Sequence, residues 1–275
     1  MTPKVQSTPE GREAMAAAPG GREATAKRRP GAAASALSAL VVLLAAGCGR
    51  SDRDYYPLHP GATAIYDLAV ETRNTGSARS EGVAKEKAIV ATRAPVTIAK
   101  ETVVPRIFHN GRAYYDRVAA GGILRAGEKK PDQDMMFAKE ETYLLKFPLK
   151  PGTSWRAPSE TYLLTRVYLG SFGAVTRHLE AMLDMDYTVE AVDDTVTVKA
   201  GEFRHCVRVH GQGETTFDWG EPFGVIPFKV EQTEWYAPGV GLVKRLRIEN
   251  PDPKSPASGR LTQELEDYSW RSWFD

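Results

Sequence analysis

The sequence predicts an all-β fold, a mostly antiparallel sandwich or (half-)barrel that forms a single domain over residues 57–275. Two observations carry this prediction. About twelve short segments alternate apolar and polar side chains, with the period of two that is typical of half-buried strands. Turn signals rich in Gly, Pro, Asn and Asp separate these segments, and none of them is a convincing long helix.

The strands follow from this alternation in chain order. The segments predicted as strands are 64–70, 88–104, 112–118, 142–147, 162–169, 176–192, 196–198, 203–210, 215–219, 225–236, 242–249 and 260–268. The polar or Gly-rich stretches predicted as loops are 72–84, 119–135 and 250–258. Pro95 indicates an edge strand or a bulge, because proline cannot donate to a ladder. Asp193 and Asp194 are predicted to turn the chain, and Ala237–Gly241 to form a tight turn.

Segment 176–192 fits both a strand and a helix. A strand places Leu183, Met185 and Val189 on one face and Asp184 and Asp186 on the other. A helical reading gains support from good helix formers in 177–185. The alternation continues past Asp186, where the helical stripe breaks, so a long strand is favoured.

Two five-residue runs share a pattern 91 positions apart: PLHPG at 57–61 and PLKPG at 148–152. Each precedes a predicted strand. We interpret the echo as one Pro-Gly turn used twice, and a duplication of the whole unit is the less favoured alternative.

Residues 1–47 are predicted to be a disordered extension followed by a lipoprotein signal peptide. Residues 1–26 show no apolar period, and either Met1 or Met15 can be the true start. A positive cluster, Lys27–Arg29, then precedes an uncharged run over 32–46, which is short for a membrane span. Residues 48–56 are predicted to be a polar tether.

The run LLAAGC, which ends at Cys48, resembles the lipobox of bacterial lipoproteins, although Ala45 stands where that family prefers leucine. The resemblance implies cleavage after Gly47, lipidation of Cys48 and membrane attachment through the lipidated N-terminus. Gly49 lacks the aspartate that retains enteric lipoproteins in the inner membrane. The expected location is therefore the cell envelope, lipid-anchored at the outer membrane and facing the periplasm. An uncleaved anchor helix, or an ordinary signal with a chance cysteine, is the alternative.

Charge and cysteine content limit the partners and the disulfide bonds that can be expected. Residues 48–275 hold 30 basic and 32 acidic side chains. This segment therefore has no net positive charge to attract nucleic acid, and a nucleic-acid partner is not expected. The chain has two cysteines, and if Cys48 is lipidated, Cys206 has no partner for an intrachain disulfide.

The C-terminal half carries a second resemblance. The runs TVTVKAGEFRHCVRV (195–209) and TEWYAPGVGLVK (233–244) resemble a signature of uncharacterised bacterial exported and lipid-anchored proteins. The resemblance implies an antiparallel β domain and brings no activity, catalytic residue or ligand.

Cys206 is the first candidate reactive group, because Arg204 and Arg208 share its predicted strand face and neighbouring cations lower a thiol pKa. A half-buried structural cysteine is favoured over a reactive one. His205, on the opposite, apolar face, is expected to be a core histidine, with His210 on the face of Cys206.

Metal and cofactor sites are not expected. His178 and Glu180 share a strand face, but Asp184 lies roughly 20 Å from His178 along a strand, too far for one ion. The turn glycines Gly239 and Gly241 are not expected to bind phosphate, and the sequence has no nucleotide-binding or zinc-protease motif. The protein is therefore not expected to be an enzyme, and no catalytic residue is assigned.

Many strand aromatics could line an apolar cavity, although ordinary core packing is favoured for them. They are Trp155, Trp219, Trp235, Tyr143, Tyr162, Tyr187 and Tyr236. The leading functional hypothesis is a non-enzymatic binding or assembly module for an apolar ligand or an envelope protein partner. A hydrolase-like enzyme with a dispersed site and a purely structural envelope component are the alternatives. Loops 121–135 and 250–258 are the expected contact surfaces, because loops often carry function.

Overall fold

The computed structural model describes residues 50–74, 80–98, 100–170, 173–178, 181–218, 224–252, 255 and 257–270. Within them, the regular structure is one 3-10 turn, Asp52–Tyr55, and fifteen strands. The strands are β1 Thr63–Asn74, β2 Ser80–Thr92, β3 Val96–Ile98, β4 Glu101–Phe108, β5 Ala113–Ala119, β6 Gly122–Lys129, β7 Met136–Lys146, β8 Ser154–Glu160, β9 Thr165–Gly170, β10 Gly173–His178, β11 Met182–Val198, β12 Gly201–Asp218, β13 Val225–Ala237, β14 Gly241–Glu249 and β15 Ala257–Ser269. Among these residues, no helix has the length and hydropathy needed to cross a membrane.

One continuous sheet forms the domain. Its strand order is β7-β6-β5-β4-β2-β1-β15-β14-β13-β12-β11-β8, with β3 added beside β4, and β9 and β10 form a separate hairpin. Every ladder is antiparallel. The prediction of an all-β, mostly antiparallel single domain is confirmed.

The sheet curves until its two end strands meet. Lys146 of β7 donates from Nζ to the carbonyl of Ser154 of β8 at 3.2 Å. Ile123 from one end packs in the same apolar cluster as Trp155 and Val189 from the other. The sandwich that the sequence left open would need two separate sheets, whereas here one open sheet folds over its own core. We call the face of the sheet that carries this apolar cluster the inner face.

The sheet consists of two halves with the same connectivity. Strands β1-β2-β4-β5-β6-β7 and β8-β11-β12-β13-β14-β15 each run in chain order across it. The two Pro-Gly runs open both halves identically. Gly61 and Gly152 have φ of 83° and 88°, and each donates its N–H at 2.9 Å to the neighbouring strand, at Thr92 and at Val189. The echo is therefore the same turn used twice, and it marks two equivalent halves.

The predicted loop 119–135 contains a strand, β6, so that prediction is wrong for about half of its length. Its glycines allow close backbone approach to β7 rather than flexibility. A Cβ at Gly122 would lie 2.1 Å from the carbonyl oxygen of Leu145, and one at Gly127 would lie 2.7 Å from that of Met136. Between these glycines, Ile123 is fully buried.

Several strand boundaries also differ from the predictions. The predicted strand 88–104 is interrupted, because β2 ends at Thr92 and the chain makes a short excursion through β3 before β4. The predicted loop 72–84 is shorter, since β1 continues to Asn74 and β2 starts at Ser80. Segment 176–192 has strand character as favoured, but its strands β10 and β11 belong to different sheets, and residues 179–180 lie outside the described part.

Asp193 and Asp194 do not turn the chain. Strand β11 continues through them to Val198, and its pairing with β12 shifts register three times between Val189 and Val196. Such bulges bend a strand without ending it. Within this bent part of β11, Asp194 accepts hydrogen bonds from Arg208 and Trp235.

The folded domain starts within the predicted tether. Ser51 caps the 3-10 turn, whose last residue Tyr55 is buried together with Tyr56 in the core. The backbone N–H of Gly239 donates to the carbonyl of Asp54 at 2.8 Å and holds this segment on the β13–β14 turn. That turn forms as predicted, with positive φ at Gly239 and Gly241.

Candidate functional site: an inner arginine–tyrosine cluster

Charged side chains occupy the inner face beside the apolar core. We define the inner cluster by its four arginines, three carboxylates and three tyrosines: Arg106, Arg125, Arg245, Arg247, Asp116, Glu234, Glu249, Tyr56, Tyr162 and Tyr236. The strands place them there by alternation. In β14, for example, Val243 is fully buried and Arg247 shares its face at 1% exposure.

The first group comes from the N-terminal half of the sheet and centres on Asp116. Arg125 Nε donates to Asp116 Oδ1 at 3.1 Å, and the Tyr56 hydroxyl donates to Oδ2 at 2.8 Å. Arg106 Nη1 donates to the Tyr56 hydroxyl oxygen, and its guanidinium lies 4.8 Å from that ring's centroid. Asp116 has no exposed surface, so these partners replace the water it has lost.

The second group repeats this arrangement in the C-terminal half. Arg245 Nε donates to Glu234 Oε1 at 2.7 Å, and the Tyr236 hydroxyl donates to Oε2 at 2.9 Å. Glu234 and Arg245 are directly opposite each other on neighbouring strands, as Asp116 and Arg125 are. In each half, an arginine and a tyrosine thus share one buried carboxylate.

The two groups meet in the interior. The rings of Tyr56 and Tyr236 lie 6.4 Å apart, which joins the carboxylate networks of both halves. Burial raises the pKa of Tyr56 and that of Tyr236 well above the usual range, and the neighbouring carboxylates raise both further. Both phenols therefore remain neutral hydrogen-bond donors at neutral pH.

Arg247 and Glu249 form the third group, a fully buried ion pair. Arg247 Nε donates to Glu249 Oε1 at 3.0 Å. The carboxylate also accepts the backbone N–H groups of Tyr162 and Leu163, both at 3.1 Å. The remaining donors of Arg247 are bonded to the Ser159 hydroxyl, the Gln232 side chain and the Glu160 carbonyl. This pair fixes the segment after β8 onto β14 and is structural.

Arg106 differs from the other three arginines because no carboxylate among the described residues bonds to it. Its Nε is buried without any hydrogen-bond partner. Although burial by itself lowers the pKa of Arg106, the nearby Tyr56, Tyr66 and Asp116 raise it overall, so the guanidinium stays charged. The cluster therefore carries one more positive charge than negative charge.

Solvent reaches part of this cluster. The side chains of Arg125 and Arg245 are 27% and 28% exposed, although the Asp116 that pairs with Arg125 is completely buried. Tyr162 is 41% exposed, and the Arg247 guanidinium lies 4.6 Å from its ring centroid. Partly exposed groups therefore lie beside fully buried ones within the inner cluster.

Cys206 has the environment of an inert thiol. It is fully buried, its Sγ donates to the Phe203 carbonyl at 3.5 Å, and burial raises its pKa to about 11. Arg204 and Arg208 do not activate it, because both pair with carboxylates, namely Glu202, Glu190 and Asp194. The packing therefore supports a structural cysteine, the interpretation that the sequence favoured.

The prediction of a core histidine at 205 is wrong. The register shifts of the β11–β12 ladder break the alternation there, and His205 takes a φ of 58°. Its side chain is 45% exposed and bonds through Nδ1 to Asp193. His210 instead bonds to Thr233, with Nδ1 3.3 Å from Oγ1.

Two of the residues that the sequence analysis weighed and rejected as metal ligands lie in different sheets. His178 ends β10, exposed Asp184 lies in β11 of the other sheet, and Glu180 is outside the described residues. No group of three His, Cys, Asp or Glu side chains within the described ranges could hold a metal ion.

The strand aromatics take several roles instead of lining one apolar cavity. Trp155 and Tyr187 stack with centroids 5.5 Å apart and belong to the apolar core. Tyr162 faces Arg247, and Trp235 donates from Nε1 to Asp194 at 3.1 Å. Trp219 lies outside the described residues.

Two open grooves mark the surface away from this cluster. A groove of about 490 Å³ is lined chiefly by polar residues of β8, β11 and β12, among them Arg156 and Asp186. A second groove, of about 600 Å³, includes Asn250, Pro251 and Ser258. Of the two expected contact loops, 250–258 therefore contributes to a groove, whereas 121–135 is largely strand β6.

Comparisons with known proteins give fold-level likeness only. No protein-family model matches the sequence, and no curated protein matches it. One similar crystal structure is of a proposed lipoprotein from Parabacteroides distasonis ATCC 8503, with 11% identity, a TM-score of 0.38, and coverage of 78% of this chain and 98% of that chain. Another is of a proposed exported protein with a YmcC-like fold from Bacteroides fragilis NCTC 9343, with 14% identity, a TM-score of 0.35, and coverage of 78% and 97%. At these scores the likeness carries no functional argument.

Proposed function

We propose that this chain is a lipid-anchored envelope protein whose β domain binds an amphipathic small molecule on its inner face without catalysing a reaction. The observation that carries the proposal is the partial exposure of Arg125, Arg245 and Tyr162 in a cluster of charged and phenolic groups. These side chains stay partly exposed among groups that are fully buried. A few polar groups placed beside aromatic and aliphatic side chains are typical of ligand sites.

The chemistry of the cluster favours binding over catalysis. General acid–base catalysis needs groups that gain and lose protons near the working pH. The phenols of Tyr56 and Tyr236 have strongly raised pKa values, and burial raises the pKa of Tyr187 to about 12. Arginine is permanently charged at neutral pH. Groups with fixed protonation suit recognition of a ligand.

The predicted lipid anchor is consistent with binding of an amphipathic molecule. Lipidation at Cys48, after cleavage behind Gly47, would leave only residues 49–51 before the first 3-10 turn. Three residues span at most roughly 11 Å. The domain would therefore lie next to the membrane, and we place it at the outer membrane, facing the periplasm.

Mass spectrometry tests the binding function. Residues 51–275, exported to the periplasm and purified without detergent, are extracted with organic solvent beside a control protein treated identically. We expect one amphipathic compound to co-purify in near-stoichiometric amount. An extract identical to that of the control, together with no uptake from lipid vesicles, would remove the basis for the proposal.

A further inference from the structure

We infer that the ligand of the inner face carries an acidic group, a phosphate or a carboxylate, which is bound at Arg106 and Arg125. This inference rests on the proposed binding function and specifies its ligand. It begins with the charges of the inner cluster, where four arginines stand against three carboxylates.

The excess charge can be assigned to Arg106. Asp116 already accepts from Arg125 and Tyr56, and Glu234 accepts from Arg245 and Tyr236. Among the described residues, Arg106 hydrogen-bonds to neutral hydroxyls, those of Tyr56 and Tyr66. Asp116 attracts Arg106 but is already paired with Arg125, so a bound anion would lower the cost of burying the second cation.

Arg125 completes the site because it borders the same carboxylate and is open to solvent. It uses Nε for Asp116, and its guanidinium lies 3.6 Å from the centroid of the Tyr114 ring. The stacked ring and the carboxylate hold the guanidinium in a fixed orientation. Guanidinium groups recognise phosphate and carboxylate oxygens through paired N–H donors.

A separate acidic cofactor and the acidic end of an amphipathic molecule would meet these donors equally well. The experiment must therefore distinguish the two sources. Tyr56 and Tyr236 of the cluster pack in the same apolar core as Trp155 and Tyr187. These apolar neighbours favour the acidic head of an amphipathic molecule.

The test uses residues 51–275 incubated with vesicles of phosphatidylcholine and phosphatidylglycerol in equal parts. The protein is re-isolated and its bound lipids are quantified by mass spectrometry. We expect phosphatidylglycerol to be enriched at least tenfold, and Arg106→Gln to lower that enrichment roughly tenfold, the effect of losing one charge-assisted hydrogen bond. Arg106→Lys, which keeps the charge, should retain a preference for the anionic lipid.

Three controls test the specificity of the site, the folding of each variant and the binding of a free anion. Arg156→Gln removes an arginine whose side chain is 64% exposed and pairs with Asp186 away from the cluster, and it should leave the enrichment unchanged. Circular dichroism melting confirms that each variant folds. Calorimetry with inorganic phosphate alone identifies the source: phosphate binding that Arg106→Gln abolishes, without lipid uptake, supports the acidic group but assigns it to a free anion.

Failure of the inference and failure of the proposed function give different results. Equal uptake of both lipids, unchanged by Arg106→Gln and without phosphate binding, overturns the acidic-group inference while the binding function stands. Uptake of neither lipid and no phosphate binding overturns both.

Discussion

Replacing Glu249 with alanine is expected to destabilise the domain more than almost any other single change. The carboxylate is fully buried and bonds to Arg247 and to two backbone amides, those of Tyr162 and Leu163. Its removal leaves a buried guanidinium without a counter-charge, which costs about 3–5 kcal/mol. Because single domains are stable by about 5–15 kcal/mol, this is a large share of the total.

The measurement is urea unfolding followed by tryptophan fluorescence, with the free energy obtained by linear extrapolation. The informative comparison is the double variant Arg247→Met, Glu249→Leu, which removes both charges and keeps apolar volume. Such replacements of whole buried pairs are often neutral, so the double variant should unfold at a higher urea concentration than Glu249→Ala. A loss below about 1 kcal/mol for the alanine variant would refute the buried-pair reasoning.

Three further predictions concern other parts of the chain. Cys48→Ala should leave an unprocessed precursor or release the protein from membranes, and an unchanged mass and membrane fraction would contradict lipidation. Gly122→Ala should lower the free energy of unfolding by at least about 3 kcal/mol, because its Cβ would overlap the Leu145 carbonyl oxygen. Gly152→Ala, which has open space around it, should lower it by only about 1 kcal/mol because of the positive φ at that position. Equal melting temperatures of the two variants would be inconsistent with this. Cys206, whose thiol pKa is raised to about 11, should resist iodoacetamide at pH 7 and react when the protein is unfolded in urea. The raised pKa keeps the sulfur in the unreactive thiol form until the pH approaches 11. Rapid labelling of the native protein would contradict the burial of Cys206.

Local alternation was enough to predict the fold class. In β11, Leu183, Met185 and Val189 are buried and Asp184 and Asp186 are exposed, as the period of two requires. Strand β6 was missed because its glycines resemble turn residues in the sequence. Their real role, close approach to the backbone of β7, depends on a partner strand that no local pattern identifies.

The inner cluster could not be predicted, because its arginines break the rule that the apolar face is the buried one. In β14 the sequence puts Leu242, Leu246 and Ile248 on one face, which suggests burial there. The opposite face holds Arg247 and Glu249, which are 1% and 0% exposed, and is the more deeply buried one. Opposite charges two positions apart on one strand face were the available signal, and their partners on other strands became visible only in three dimensions.

The carboxylate–arginine–tyrosine arrangement occurs in both halves of the sheet. The two halves therefore resemble each other in this arrangement as well as in their Pro-Gly turns. Asp116 with Arg125 and Glu234 with Arg245 occupy paired positions on adjacent strands in each half. A five-residue echo was too short to establish this from sequence. The excess charge at Arg106 has no counterpart in the C-terminal half of the cluster, which makes the N-terminal half the better place for an anion.

Photo-cross-linking tests most directly whether the inner face binds the ligand. A benzoylphenylalanine introduced at Tyr162, the exposed aromatic of the cluster, is irradiated in the exported protein, and adducts are identified by mass. The same group at Arg156, on an exposed ion pair, is the control. If the ligand binds on the inner face, we expect one defined small-molecule adduct at position 162 and none at position 156. No adduct at 162, or the same adducts at both positions, would contradict it.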